Sequence, residues 1–252
     1  MMQQPIKQAA NPMTILYHDT LFAPLDADLH LERIGGGNET EVYCTDDHRY
    51  VVKVKGNWLP SLPVALAEAA AMRKAARRFA TAVGVNHSIP NHFLIAANSM
   101  GYPQLLAVQP YYRKAQPLFA VDYRRLSATE RWQVARQLLH IIQRSVATYS
   151  KRGWMPDLYG RTSASRAERE RLNRWYMLPW RLWSFLVKRN LLRAHNLMLT
   201  AAPERRVILV DYDPVTRGKL YQLIYYTIRL WLFWRDLMLI GLMVLTGWVP
   251  KA

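Results

Sequence analysis

A strand-rich first half followed by a helix-rich second half predicts an α+β fold of two lobes for this chain of 252 residues. Between residues 29 and 112, short runs of β-branched and aromatic residues alternate with glycine and polar turns, and one alanine-rich run interrupts them. Beyond residue 126 the apolar spacing lengthens to that of helices. The expected architecture is an antiparallel sheet plus one helix in the first lobe and a truncated, mostly helical second lobe, joined near residues 109–117.

Taken in order, LHLERI, EVYCT and HRYVVKVK read as three antiparallel strands, the last after a polar turn at Asp46 and Asp47. VALAEAAAMRKAARRFA between Pro63 and Ala82 is a strong helix former, with prolines on its N-terminal side. HFLIAANS and YPQLLAVQPYYR add two strands. Ser127 then opens a long helix, with Glu130 completing a capping box and Gly153 at its end. Trp132, Leu138, Ile141, Ile142 and Val146 are expected on its packed face.

The chain has 51% hydrophobic residues, enough for a core, so disorder is not expected. Its 34 basic and 18 acidic residues leave a net charge of +16, which suits phosphate, anionic lipid or another acidic partner. The single cysteine, Cys44, offers neither a disulfide nor zinc-ligand spacing and reads as a small buried hydrophobe. The first residues carry no apolar run of the signal-peptide kind, so the catalytic region is expected in the cytoplasm.

The chemistry-bearing residues come in an order that phosphoryl transfer requires: amides over phosphates, a lysine held by a carboxylate, metal ligands, and a carboxylate beside the incoming hydroxyl. Gly35, Gly36, Gly37, Asn38, Thr40 and Val42 follow a G-x-G-x-x-G-x-V pattern, with Thr40 replacing the third glycine. A glycine-rich hairpin turn is the bland alternative. Lys53, in VVKV, fits the third-strand lysine pattern, and Glu68 is the only acid between Lys53 and Asp122. Asn196 and Asp211 stand at the ends of NLML and VILVD, where side-chain oxygens can hold magnesium.

AHNLML followed by VILVDYD resembles the catalytic-loop asparagine and the DFG-type aspartate of the protein-kinase-like superfamily. It is most similar to the atypical small bacterial kinases, among them aminoglycoside phosphotransferases and lipopolysaccharide-core sugar kinases. The resemblance covers roughly residues 31–213 in motif order and implies ATP and Mg2+ as cofactors, with Gln109 and Tyr111 in a hinge at residues 108–112 facing adenine. Leu191 occupies the place that H-R-D-x-x-x-x-N gives to the catalytic aspartate. Asp157, in WMPDL after the long helix, is assigned that role instead, with about thirty residues inserted before Asn196. An ordinary Pro-Asp turn is the alternative. No A-P-E follows Asp211, which argues against a conventional platform for protein substrates.

In the insertion at 161–193, Leu172, Trp175, Tyr176, Pro179, Trp180, Trp183 and Val187 follow helical spacing, with Arg174, Arg181 and Lys188 on another face and a kink expected at Pro179. This helix reads as touching a membrane or an anionic substrate, or else as packing on the second lobe. Residues 219–252 form a hydrophobic tail, either an interfacial hairpin or a pair of buried helices; Arg229, Arg235 and Asp236 argue against a bilayer span. The expected parts are therefore an N-terminal extension at 1–28, a nucleotide-binding lobe at 29–112, a catalytic lobe at 113–218 and this tail. The expected activity is transfer of the γ-phosphoryl group of ATP to a hydroxyl of a small or membrane-linked molecule at the inner membrane face. The alternatives are an ATP-binding pseudokinase acting as a membrane scaffold and, more remotely, a nucleic-acid binder. The acceptor and the oligomeric state stay open.

Overall fold

The structure is a computed structural model that describes residues 14–17, 31–36, 40–55, 59–97, 101–160, 171, 174–183, 186, 189–212 and 218–250. The chain divides into two compact units, Met1–Lys74 with Pro90–Tyr111, and Ala75–Ile89 with Tyr112–Ala252.

The first unit is built on a six-stranded antiparallel sheet of β1 (Thr14–Tyr17), β2 (Leu31–Gly36), β3 (Thr40–Thr45), β4 (Tyr50–Lys55), β5 (His92–Ala97) and β6 (Pro103–Pro110), in the order β1-β5-β6-β4-β3-β2. The five strands read from the sequence are present, and β1 adds a sixth from the stretch read as an extension, pairing with β5. Val52, Val54, Leu94, Ala96, Leu106 and Val108 bury one face of the sheet. Period-two alternation turns their neighbours Phe93, Ile95 and Leu105 to the other face, where they too are buried. Helix α1 (Leu62–Val83) is the predicted alanine-rich helix, and the boundary between the units falls within it.

The second unit has a small antiparallel sheet of β7 (Gln116–Pro117), β8 (Leu197–Leu199) and β9 (Val207–Leu209). Helix α2 (Ala128–Arg152) starts as the capping box requires: Glu130 N–H donates to Ser127 Oγ, and the Glu130 carboxylate accepts from Ser127 N–H. It stops at Gly153 in the left-handed region, φ 68°. Its buried face is Val134, Ala135, Leu138, Ile141, Ile142 and Ser145. Trp132 and Val146, expected on that face, are exposed, because each lies well off the line of Leu138 at 100° per residue.

The insertion is not one kinked helix. A short 3-10 turn at Trp175–Met177 leads into α3 (Leu178–Trp183), where Pro179 occupies the first turn, a position at which its missing N–H is tolerated. Leu172 and Val187 lie outside the described residues. The tail is a single helix, α4 (Lys219–Thr246), rather than a hairpin or a pair. Its inner residues Tyr226, Phe233, Ile240 and Met243 join the core with α2 and the small sheet, while its outer face is exposed. Among the described residues no helix is long and apolar enough to cross a membrane.

Candidate active site

In the first unit, Gly35 on β2, Val42 on β3, Lys53 on β4 and Ala107 on β6 are successive register partners across the sheet. Residues opposite one another share a face, so Lys53 lies on the face that buries Phe93, away from Val52 and Val54. Lys53 and Thr40 are half-buried. Glu68 is half-buried on α1, on the same helix side as the buried Ala65 and Ala69. Gly37 and Asn38 lie outside the described residues. Gln109 is buried, and its side-chain amide donates to Asn91 Oδ1 at 2.6 Å, so that side chain is turned into the unit. The Tyr111 N–H donates to the Arg49 carbonyl at 2.7 Å.

In the second unit, three of the residues singled out from the sequence are placed by the β8-β9 ladder and the segment after α2. The Val210 N–H donates to the Asn196 carbonyl at 2.9 Å, so Asn196 and Val210 close the end of the ladder and Asp211 follows directly. The Asn196 side-chain amide donates to the Asp157 carbonyl at 3.0 Å, across 39 positions of sequence. The His195 N–H donates to the Tyr159 carbonyl at 2.9 Å and ties the same two segments a second time. Asp157 Oδ1 accepts the Tyr159 N–H at 3.1 Å, an aspartate turn that orients the carboxylate. Asp211 Oδ1 accepts from Tyr212 N–H at 2.9 Å.

Gly160 is required here. Its φ is +72°, and a Cβ at that position would overlap Asn196 Oδ1 and lie 2.8 Å from Asn196 Cγ. Leu191, where a strict signature would place the aspartate, is fully buried in a 3-10 turn and packs in the core. The two ends of the chain between Asp157 and Asn196 return to the same place.

Sequence reading missed the wall that α4 builds beside Asp157. The charge of Asp157 acts on Tyr225, Tyr226, Arg189 and Arg229. Arg229 is 1% exposed and its guanidinium lies 3.8 Å from the Tyr159 ring centroid, a cation-π contact. Burial works against the charge of Arg229, but Tyr225, Tyr159 and Asp157 outweigh it and raise its pKa. Arg189 is shifted the other way, by burial and then by the like charge of Arg229. Burial, and then the charge of Asp157, push the Tyr225 hydroxyl up, so that it is a neutral hydrogen-bonding group at physiological pH.

Behind Arg229, the Tyr159 hydroxyl donates to Asp236 Oδ2 at 2.6 Å and Arg235 Nη2 donates to Asp236 Oδ1 at 2.9 Å. Burial raises the pKa of Asp236 and these partners partly offset it. The available signal for this wall was Arg229 and Asp236 at a seven-residue spacing in a run whose other charge is Arg235, which marks one helix face without saying that it faces inward.

An asparagine side-chain oxygen and a carboxylate at neighbouring ladder ends are donors of the type that suits a hard cation. Among the described residues no group of three or more His, Cys, Asp or Glu gathers into a metal cage. In comparisons with known proteins, no family model and no curated protein matches the chain.

Proposed function

We propose that the protein is an ATP- and magnesium-dependent phosphotransferase of protein-kinase-like architecture, acting on a substrate hydroxyl and working as a peripheral protein at the cytoplasmic face of a membrane. The observation that carries this reading is the hydrogen bond from Asn196 to the Asp157 carbonyl at the end of the ladder that Asp211 follows. It gathers a base candidate and two metal-ligand candidates from three distant stretches of sequence. In this reading the first unit contributes nucleotide binding, through the 35–42 segment and through Lys53 held by Glu68. The second contributes Asn196 and Asp211 as ligands of magnesium, which neutralises charge on the phosphate oxygens. Asp157, oriented by the Tyr159 N–H, accepts the proton of the acceptor hydroxyl. Catalysis then rests on positioning and charge stabilisation without a covalent intermediate.

A pseudokinase scaffold is the second reading, favoured by the buried Leu191 at the place of the signature aspartate. Magnesium-dependent ATP turnover, measured with vesicles present, separates the two. Asp157→Ala is expected to lose about 10²–10⁴-fold in turnover while keeping ATP binding. Asp211→Asn is expected to lose turnover by weakening magnesium binding, and Gly160→Ala to behave like Asp157→Ala by displacing Asn196. ATP binding with no turnover by the wild type, across sugar, lipid and protein acceptors, would favour the scaffold.

A further inference from the structure

The outer face of α4 carries an apolar stripe that stands exposed among the described residues. Leu220, Ile224, Trp231, Trp234, Met238 and Leu245 follow one another along it, and all are exposed, Trp231 to 76%. Thr227 and Gly241 fill the remaining places, so the stripe runs the length of the helix with no charged side chain. The charges of the helix interior are elsewhere: Arg229 and Asp236 are buried on the opposite face, and Arg235 is half-buried.

A second exposed aromatic segment adjoins it. Arg235 of α4 donates to the carbonyls of Leu186 and Arg189, which fixes the end of the insertion against the helix. In that insertion Trp175 is 87% exposed, and Trp180 and Trp183 are exposed as well. Residues 171–193 hold Arg171, Arg174, Arg181, Lys188, Arg189 and Arg193 and not one acid.

We infer that the outer face of α4, together with the 175–183 segment, is the surface on which an anionic lipid bilayer is seated, with α4 lying in the plane of the membrane. Tryptophan is the side chain that the lipid–water boundary favours, because its ring is apolar and its indole N–H remains hydrated. The basic stretch 171–193, which holds no acid, supplies the charge complement of anionic headgroups. Its spacing alone would also fit a helix–helix seam with a second copy. Charge decides against that partner: a second copy brings another +16 against this basic face, whereas an anionic bilayer brings the opposite sign. The surface gives the peripheral association proposed above a definite place on the molecule and is independent of any catalysis.

The test is vesicle flotation of the full-length protein without nucleotide, so its outcome is separate from that of the phosphotransferase assay. Vesicles of phosphatidylcholine alone are compared with vesicles that also hold phosphatidylglycerol. The expected results are binding to the mixed vesicles only, tryptophan fluorescence quenched by bromine on the acyl chains, and binding at least about tenfold weaker for Trp231→Ser with Trp234→Ser. Both positions are exposed, so an unchanged circular dichroism melt is expected to show that the variant folds. No flotation with phosphatidylglycerol, or quenching that the double variant leaves intact, overturns the proposal. So does a wild-type dimer in light scattering that the double variant dissolves, which would assign the stripe to a second copy.

Discussion

Helices α2 and α4 are both amphipathic and lie side by side in the second unit, yet they are built in opposite senses. In α2 the buried face is Val134, Leu138, Ile141 and Ile142, and Arg136, His140, Gln143, Lys151 and Arg152 face water. In α4 the outer face is tryptophan, leucine and methionine, and the buried face holds Arg229 and Asp236 among Tyr226, Phe233 and Ile240. The first arrangement is stabilised by water on one side and core on the other. The second places charge where it must be paired, around Tyr159 and Asp157, and leaves apolar surface where a further partner can cover it.

The largest effect is expected from breaking the inner face of α4. Asp236→Ala removes the acceptor of the Tyr159 hydroxyl and the partner of Arg235 inside the core, and is expected to cost about 3–5 kcal/mol in urea unfolding. Asp236→Asn keeps an acceptor for Tyr159 and is expected to lose less; equal losses would place the effect in packing rather than in the polar network. At the α2 end, Ser127→Ala removes the cap oxygen that Glu130 N–H uses and is expected to cost about 0.5–2 kcal/mol, read as a shift of the unfolding midpoint at unchanged slope.

The smallest effect is in the pH dependence of the α2 flank. The His87 ring bridges the Val207 carbonyl at 3.0 Å and His140 of α2 at 3.1 Å, and burial holds its pKa below the ordinary 6.5. His195 is shifted the same way, by burial and then by the charge of Arg189. A folded state that favours the neutral rings is fully stable above pH 6.5 and weakens as pH falls from there toward the folded pKa. The melting temperature is expected to fall by about 2–4 °C for each kcal/mol lost on going from neutral to mildly acidic pH. His87→Asn, which keeps a donor for Val207, is expected to flatten that slope; an unaltered slope would assign it to His195.

Local signals made much of the fold legible. The ends of α2 follow from Ser127, Glu130 and Gly153 because capping is satisfied within one turn of chain. The five strands β2 to β6 follow from alternation and turn residues. At the candidate site, the juxtaposition of Asp157 and Asn196 followed from residue order once Leu191 was set aside, although what joins them is a hydrogen bond over 39 positions. Arg189, Tyr225 and Arg229 were not legible beside Asp157, because a periodic pattern shows that a helix has two faces and does not say which one meets the core. The same ambiguity misplaced Trp132, a large apolar side chain on a helix whose core face was already filled by smaller ones.

By itself the sequence determined the α+β class, the extents of α1 and α2, the strands that carry Gly35 and Lys53, and a net charge of +16 with a stretch at 171–193 that holds no acid. Those features depend on neighbouring residues or on sums over the chain, which a single strand of text contains. Only the tertiary structure decided that the tail is one helix, that its charges point inward to Tyr159 and Asp157, and that its tryptophans point outward. Burial is set by what packs against a side chain from elsewhere in the chain, and for α4 that packing reverses the outcome that hydropathy alone would favour.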